Sequence, residues 1–125
     1  MTNKPVKIPG NDHPISIAPQ PGRVVVTAGG RAIADSRRAL TLKEASYPPV
    51  QYIPRADVDM TQLSRTTHSS YCPYKGDAAY FSISAAGARA DNAVWTYEHP
   101  HDAVAEIAGF VAFYPDRVDS IEIRE

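Results

Sequence analysis

Cysteine is nearly absent: Cys72 is the only one among 125 residues. An internal disulfide is therefore excluded, and so is any zinc site built on paired cysteines. Net charge is equally scarce. Thirteen basic residues stand against 14 acidic ones for a net −1, so no whole-molecule field favours nucleic acid or a membrane surface. Long apolar runs are missing too; no stretch approaches the roughly 18 residues needed to cross a bilayer. The opening MTNKPVKIPGNDHP lacks the apolar segment of a secretion signal, and the expectation is a cytoplasmic protein. Phenylalanine is sparse as well, with three against seven tyrosines and one tryptophan. Tyrosine and tryptophan carry a polar tip on an apolar body, which suits the wall of a wet pocket.

What is present reads mostly as strand. Residues 1–18 carry Pro5, Pro9 and Pro14 without periodicity and read as an extended arm docked by Ile15 and Ile17. Residues 19–125 read as a single globular domain. In RVVVTAGGRAIADS two apolar segments flank Gly29–Gly30, the pattern of a tight hairpin. ALTLKEAS places Glu44 on the face shared by Leu40 and Leu42, where a carboxylate needs a partner or water. YPPVQYIP is a strand framed by prolines. RADVDMTQL predicts a short helix with Val58 and Leu63 inward, and SRTTHSS a polar loop.

Pro73–Tyr74–Lys75–Gly76 has the composition of a β-turn presenting Tyr74 and Lys75 at a loop tip. DAAYFSISA alternates Ala79, Phe81 and Ile83 against Ala78, Tyr80 and Ser82, as a central strand does. AAGARADN predicts a turn and AVWTYEH another strand. HDAVAEIAGFVAFY sets Val104, Ile107, Ala108 and Val111 at helical spacing, and DRVDSIEI closes the chain as a strand. The sum is an α+β, β-dominated domain, mainly antiparallel, with about seven strands and two short helices.

Four segments carry a resemblance. KEASYPPVQYIPRADVD (43–59), YCPYKGDAAYF (71–81), AVWTYEHP (93–100) and VAFYPDRVD (111–119) are similar to the domain-of-unknown-function family 427, in order and with suitable spacing. The resemblance covers roughly residues 19–120. It implies a β-tent-like fold, similar to methionine sulfoxide reductase B and the ligand-binding domain of cereblon. A nucleotidyltransferase-like label attaches to the family, but the glycine–serine motif of that chemistry does not occur here. Relatives with this fold often hold zinc through two CxxC knuckles, which a single cysteine cannot supply. His13, His68, His99 and His101 offer no metal-ligand spacing beyond the His99–His101 pair, and no metal or other cofactor is expected.

Three functional readings follow. The favoured one is a small-molecule-binding domain for a planar or anionic metabolite, with Glu44, Tyr52, Arg55, Tyr74, Lys75, Trp95 and Tyr97 forming an aromatic box with both signs of charge. A second is an enzyme with Cys72 as nucleophile or redox thiol, tuned by Lys75 or His68. The third is a structural module that self-associates, as a homo-oligomer, through its arm or an exposed strand edge. Basic residues do not line up with the aromatics, so neither nucleic acid nor membrane is an expected partner.

Overall fold

A computed structural model of the chain describes residues 4–84 and 90–125. The expectation of an antiparallel, β-dominated domain holds, but the count does not. Ten strands form three sheets, and no α-helix occurs among the described residues. β1 (Ile15–Pro19), β4 (Leu40–Glu44) and β5 (Val50–Tyr52) make one sheet, in the order β1-β4-β5. β2 (Arg23–Ala28) and β3 (Arg31–Ser36) pair with the last strand, β10 (Ser120–Arg124). The third sheet runs β6 (Leu63–Cys72), β7 (Gly76–Ile83), β8 (Val94–Thr96) and β9 (Val111–Phe113).

Side-chain alternation in the third sheet builds the interior on both of its faces. Phe81, Ile83, Val94, Val111 and Phe113 point into one core, against Val24, Val26 and Ile33 of the β2–β3 hairpin. Ala78, Tyr80, Tyr97 and Ala112 belong to a second core with Leu42, Tyr52, Val104 and Ile107. Ile15 and Ile17 pack against that second core. The first and third sheets meet where Ile53 and Val111 exchange backbone hydrogen bonds of 2.8 and 2.9 Å. At the β2–β3 turn, Gly29 and Gly30 have φ of 59° and 75°, the double left-handed turn that a two-residue hairpin requires.

Both predicted helices are absent, each for a tertiary reason. Residues Arg55–Asp57 and Met60–Gln62 form two single 3-10 turns, separated at Val58 (φ −118°, ψ 137°). Val58 is extended because it bridges to Ala34 and is buried in the first core. Leu63 already belongs to β6. Farther on, Asp102–Ile107 is a 3-10 segment broken at Val104, and Gly109 (φ 77°) turns the chain into β9. The spacing of Val104 and Ile107 by three fits a 3-10 turn as well as a helix, while Val111 is claimed by strand pairing with Thr96.

The expected polar loop at 64–70 is instead the edge strand β6, hydrogen-bonded to β7 alone and interrupted by an irregularity between Arg65 and Ser69. Its polarity is that of an exposed edge rather than of a loop. The turn expected at 85–92 falls mainly on residues 85–89, outside the described residues. Among the described residues no helix is long and apolar enough to cross a membrane.

Candidate functional site

The second-core face of the third sheet, the first sheet and the 72–76 turn border an open-mouthed cavity of about 510 Å³. Alternation explains who lines it. Leu42 and Glu44 share a face of β4; Tyr80 points the same way from β7; Trp95 lies on the face of β8 opposite Val94 and Thr96. Tyr52, Tyr97 and Tyr114 complete an aromatic wall, with Pro48 and Pro49 at the mouth.

Lys75 does not sit at an exposed tip. Its amide donates to the Cys72 carbonyl at 3.1 Å, closing the turn, and its carbonyl accepts from the His101 amide at 3.0 Å. With the backbone held on both sides, and Gly76 at φ 111° turning the chain into β7, the side chain folds inward and is only 7% exposed. There the Lys75 ammonium donates to Glu44 Oε1. The other oxygen, Oε2, accepts from His13 Nε2 at 2.8 Å. His13 lies flat on Tyr74, ring centroids 3.9 Å apart and 5° from parallel. The N-terminal segment that carries His13 is fixed over the turn: the Lys7 amide donates to the Pro73 carbonyl at 3.0 Å and the Tyr71 hydroxyl to the Pro5 carbonyl at 2.6 Å.

Burial alone would raise the Glu44 carboxyl, but hydrogen bonds from Lys75 and His13 outweigh it and hold the group below its ordinary value. The phenols move the other way. Burial pushes Tyr52 and Tyr97 well above the usual tyrosine range. Burial together with a hydrogen bond to Tyr80 pushes Tyr114 up to about 12. All three are neutral hydroxyls at physiological pH. Trp95 Nε1 donates to the Tyr52 hydroxyl at 3.2 Å, and the Tyr80 hydroxyl shares a 2.9 Å hydrogen bond with Ser70 Oγ. Tyr97 is 6% exposed, and its hydroxyl has no hydrogen-bond partner among the described residues.

Five of the expected site residues thus come together: Glu44, Tyr52, Lys75, Trp95 and Tyr97. Tyr74 stands one layer back, behind His13. Arg55 does not join them. It lies on the opposite side of β8, where Nε donates to the Gly109 carbonyl at 2.8 Å and Nη2 to Glu98 at 3.0 Å. The expected single box holding both Arg55 and Glu44 is replaced by two separate clusters, because Thr96 and Glu98 point away from Trp95 and Tyr97. Cys72 is partly buried against the second core and is not among the residues lining the cavity.

Three participants escaped sequence reasoning. Tyr80 and Tyr114 were legible as aromatics but not as neighbours of Trp95, whose ring is 4.5 Å from that of Tyr114. His13 gave no local signal at all, since its role depends on a contact 31 residues away. Asp57 and Asp59, which form an Asp-x-Asp pair, have structural partners: Asp57 accepts from Arg38 and Ser36, and Asp59 caps the following turn. Among the described residues no group of three or more His, Cys, Asp or Glu could hold a metal ion.

A comparison with protein families matches residues 16–124 to a domain of unknown function, DUF427. The chain belongs to the DUF427 family. The match takes in all four resembling segments and extends slightly beyond the expected range of 19–120 at each end. Glu44, Lys75, Trp95 and Tyr97 of this DUF427 chain all fall within it. No curated protein matches the chain.

Proposed function

We propose that this DUF427 chain is a small-molecule-binding domain in a β-tent-like scaffold, with its ligand in the tyrosine-walled cavity. One observation carries the reading: the Lys75 ammonium and the Tyr97 hydroxyl, each on a largely buried residue, border a space of about 510 Å³ with hydrogen-bonding capacity left over. Lys75 has three N–H donors and a single side-chain partner, Glu44. That capacity opens onto the cavity, where a ligand can take it up, since among the described residues no fully buried side-chain polar atom lacks a partner. The volume lies inside the range of about 300–1,000 Å³ common for small-molecule sites, and aromatic walls with a few aimed polar groups fit that pattern.

Thermal unfolding in the presence of a panel of planar and anionic metabolites tests the reading. A specific ligand at one hundred times its Kd stabilises the fold by about 2.7 kcal/mol, which for a domain of this size raises Tm by roughly 10 °C. Lys75→Met should abolish the rise. A panel that produces no shift, with no perturbation of the Trp95 indole resonance, would remove the proposal.

A further inference from the structure

Charge narrows what the tyrosine-walled cavity can hold. The Lys75 side chain carries N–H donors only, and Glu44 takes up one of them. Both oxygens of Glu44 already accept, Oε1 from Lys75 and Oε2 from His13. The cluster thus sets two bases against one carboxylate and leaves donors unspent at the cavity. The Tyr97 hydroxyl adds one more, since Tyr97 lines this space and no fully buried side-chain polar atom among the described residues lacks a partner. Shape narrows it further. Six of the lining residues are tyrosine or tryptophan. The Trp95 ring is tilted 44° against Tyr114, with centroids 4.5 Å apart, and stands at 90° to Tyr52 at 6.3 Å. Neither neighbour is parallel to the indole, so parallel stacking on Trp95 is a contact that these two do not make. Aromatic walls also suit a quaternary ammonium, but here the Lys75 ammonium borders the same space and repels a second cation.

Building on the small-molecule reading, we propose that the ligand is a flat aromatic carboxylate held in this cavity alone. Its carboxylate accepts hydrogen bonds from Lys75 and Tyr97, and its ring stacks on Trp95. The two halves are matched in reach. Trp95 and Tyr97 line the same space two residues apart, about 7 Å along an extended chain, which a ring and the carboxylate it bears can span. Hydrogen bonds from an ammonium to a carboxylate are the strong kind, roughly twice a neutral one. Offset stacking adds to the burial of the ring a contribution that a saturated body of the same size does not make.

Calorimetric titration with four probes tests this: sodium 2-naphthoate, its ring-saturated counterpart decahydro-2-naphthoate, the neutral 2-naphthamide, and phenyltrimethylammonium chloride. The naphthoate should bind about fivefold more tightly than the saturated acid, through stacking. It should bind about tenfold more tightly than the amide, whose neutral carbonyl is the weaker acceptor. The cation should not bind. Tyr97→Phe, which keeps the ring, should weaken naphthoate about tenfold through one lost hydrogen bond. Trp95→Leu should erase the preference for naphthoate over the saturated acid. Equal affinities for the two acids, an amide that binds as tightly as the acid, or naphthoate binding untouched by Tyr97→Phe would each overturn the aromatic carboxylate. If phenyltrimethylammonium binds instead and perturbs the Trp95 indole resonance, the aromatic carboxylate falls and the small-molecule site stands. If none of these probes binds, the aromatic carboxylate falls with it, and the metabolite panel alone decides the fate of the site.

Discussion

Two carboxylates in this molecule are each clasped by two bases, and they make a useful contrast. Glu44 is held by Lys75 and His13, with side-chain exposures of 16%, 9% and 23% in that order. Glu98 is held by Arg55 and Arg65 on the other side of β8, with exposures of 34%, 34% and 50%. Both carboxyls titrate below their ordinary value, in each case because hydrogen bonds from the bases outweigh burial. Their surroundings differ. Arg55 also binds the Gly109 carbonyl and Thr96, and both arginines lie over the Phe81 ring, 5.6 and 5.4 Å from its centroid. That cluster ties β6 and β8 to the loop before β9. The Glu44 cluster faces a cavity and retains an ammonium with unused donors. A charge pair is therefore not a site by virtue of being a pair; what matters is whether its capacity is exhausted by the fold.

Substitutions can break or sharpen this contrast. Lys75→Met should have the largest effect, about 3 kcal/mol in urea unfolding, because removing one member of a largely buried pair strands the other. The double variant Lys75→Met/Glu44→Gln should recover part of that loss, and a cycle with no coupling would deny the pair its role. Next in size is the response to acid. A carboxyl with a depressed folded pKa contributes stability that is complete above the unfolded value of about 4.5 and is lost as pH falls through the lower folded value. Glu44→Gln should flatten the acid limb of the stability profile more than Glu98→Gln does, and the reverse ranking would invert the comparison. Arg65→Ala, at an exposed pair, should cost less than about 1 kcal/mol. Tyr97→Phe should be the smallest, within about 0.5 kcal/mol, since no hydrogen bond is removed. A loss well beyond that would mean that the hydroxyl serves the fold rather than a ligand.

Local rules made much of this legible in sequence. Period-two alternation put Phe81 and Ile83 on one face of β7 and Tyr80 on the other, and Leu42 with Glu44 on one face of β4. The Gly29–Gly30 pair marked its hairpin, and four short segments pointed to the family. Failures came where long-range pairing overruled local pattern. Val58 and Val111 sit at helical spacing, yet each is drawn into a β-bridge or strand by a partner distant in sequence. β6 was misread because edge strands carry polar residues. Lys75 read as a loop-tip lysine because nothing near it in sequence announces Glu44, and Arg55 was placed with Glu44 because sequence order does not say which side of β8 a neighbouring loop will meet.

The N-terminal segment laid over the 72–76 turn has a kinetic consequence. Its contacts span 66 residues from Pro5 to Tyr71 and 73 from Lys4 to Asp77. Closing loops of that length costs entropy before any contact rewards it, so such pairings form late. His13 and Lys75 each lie 31 residues from Glu44, so the late step is the docking of residues 4–7 over the turn rather than the closing of the Glu44 cluster. In native fluctuations that segment opens first, at lower free energy than the sheets beneath it.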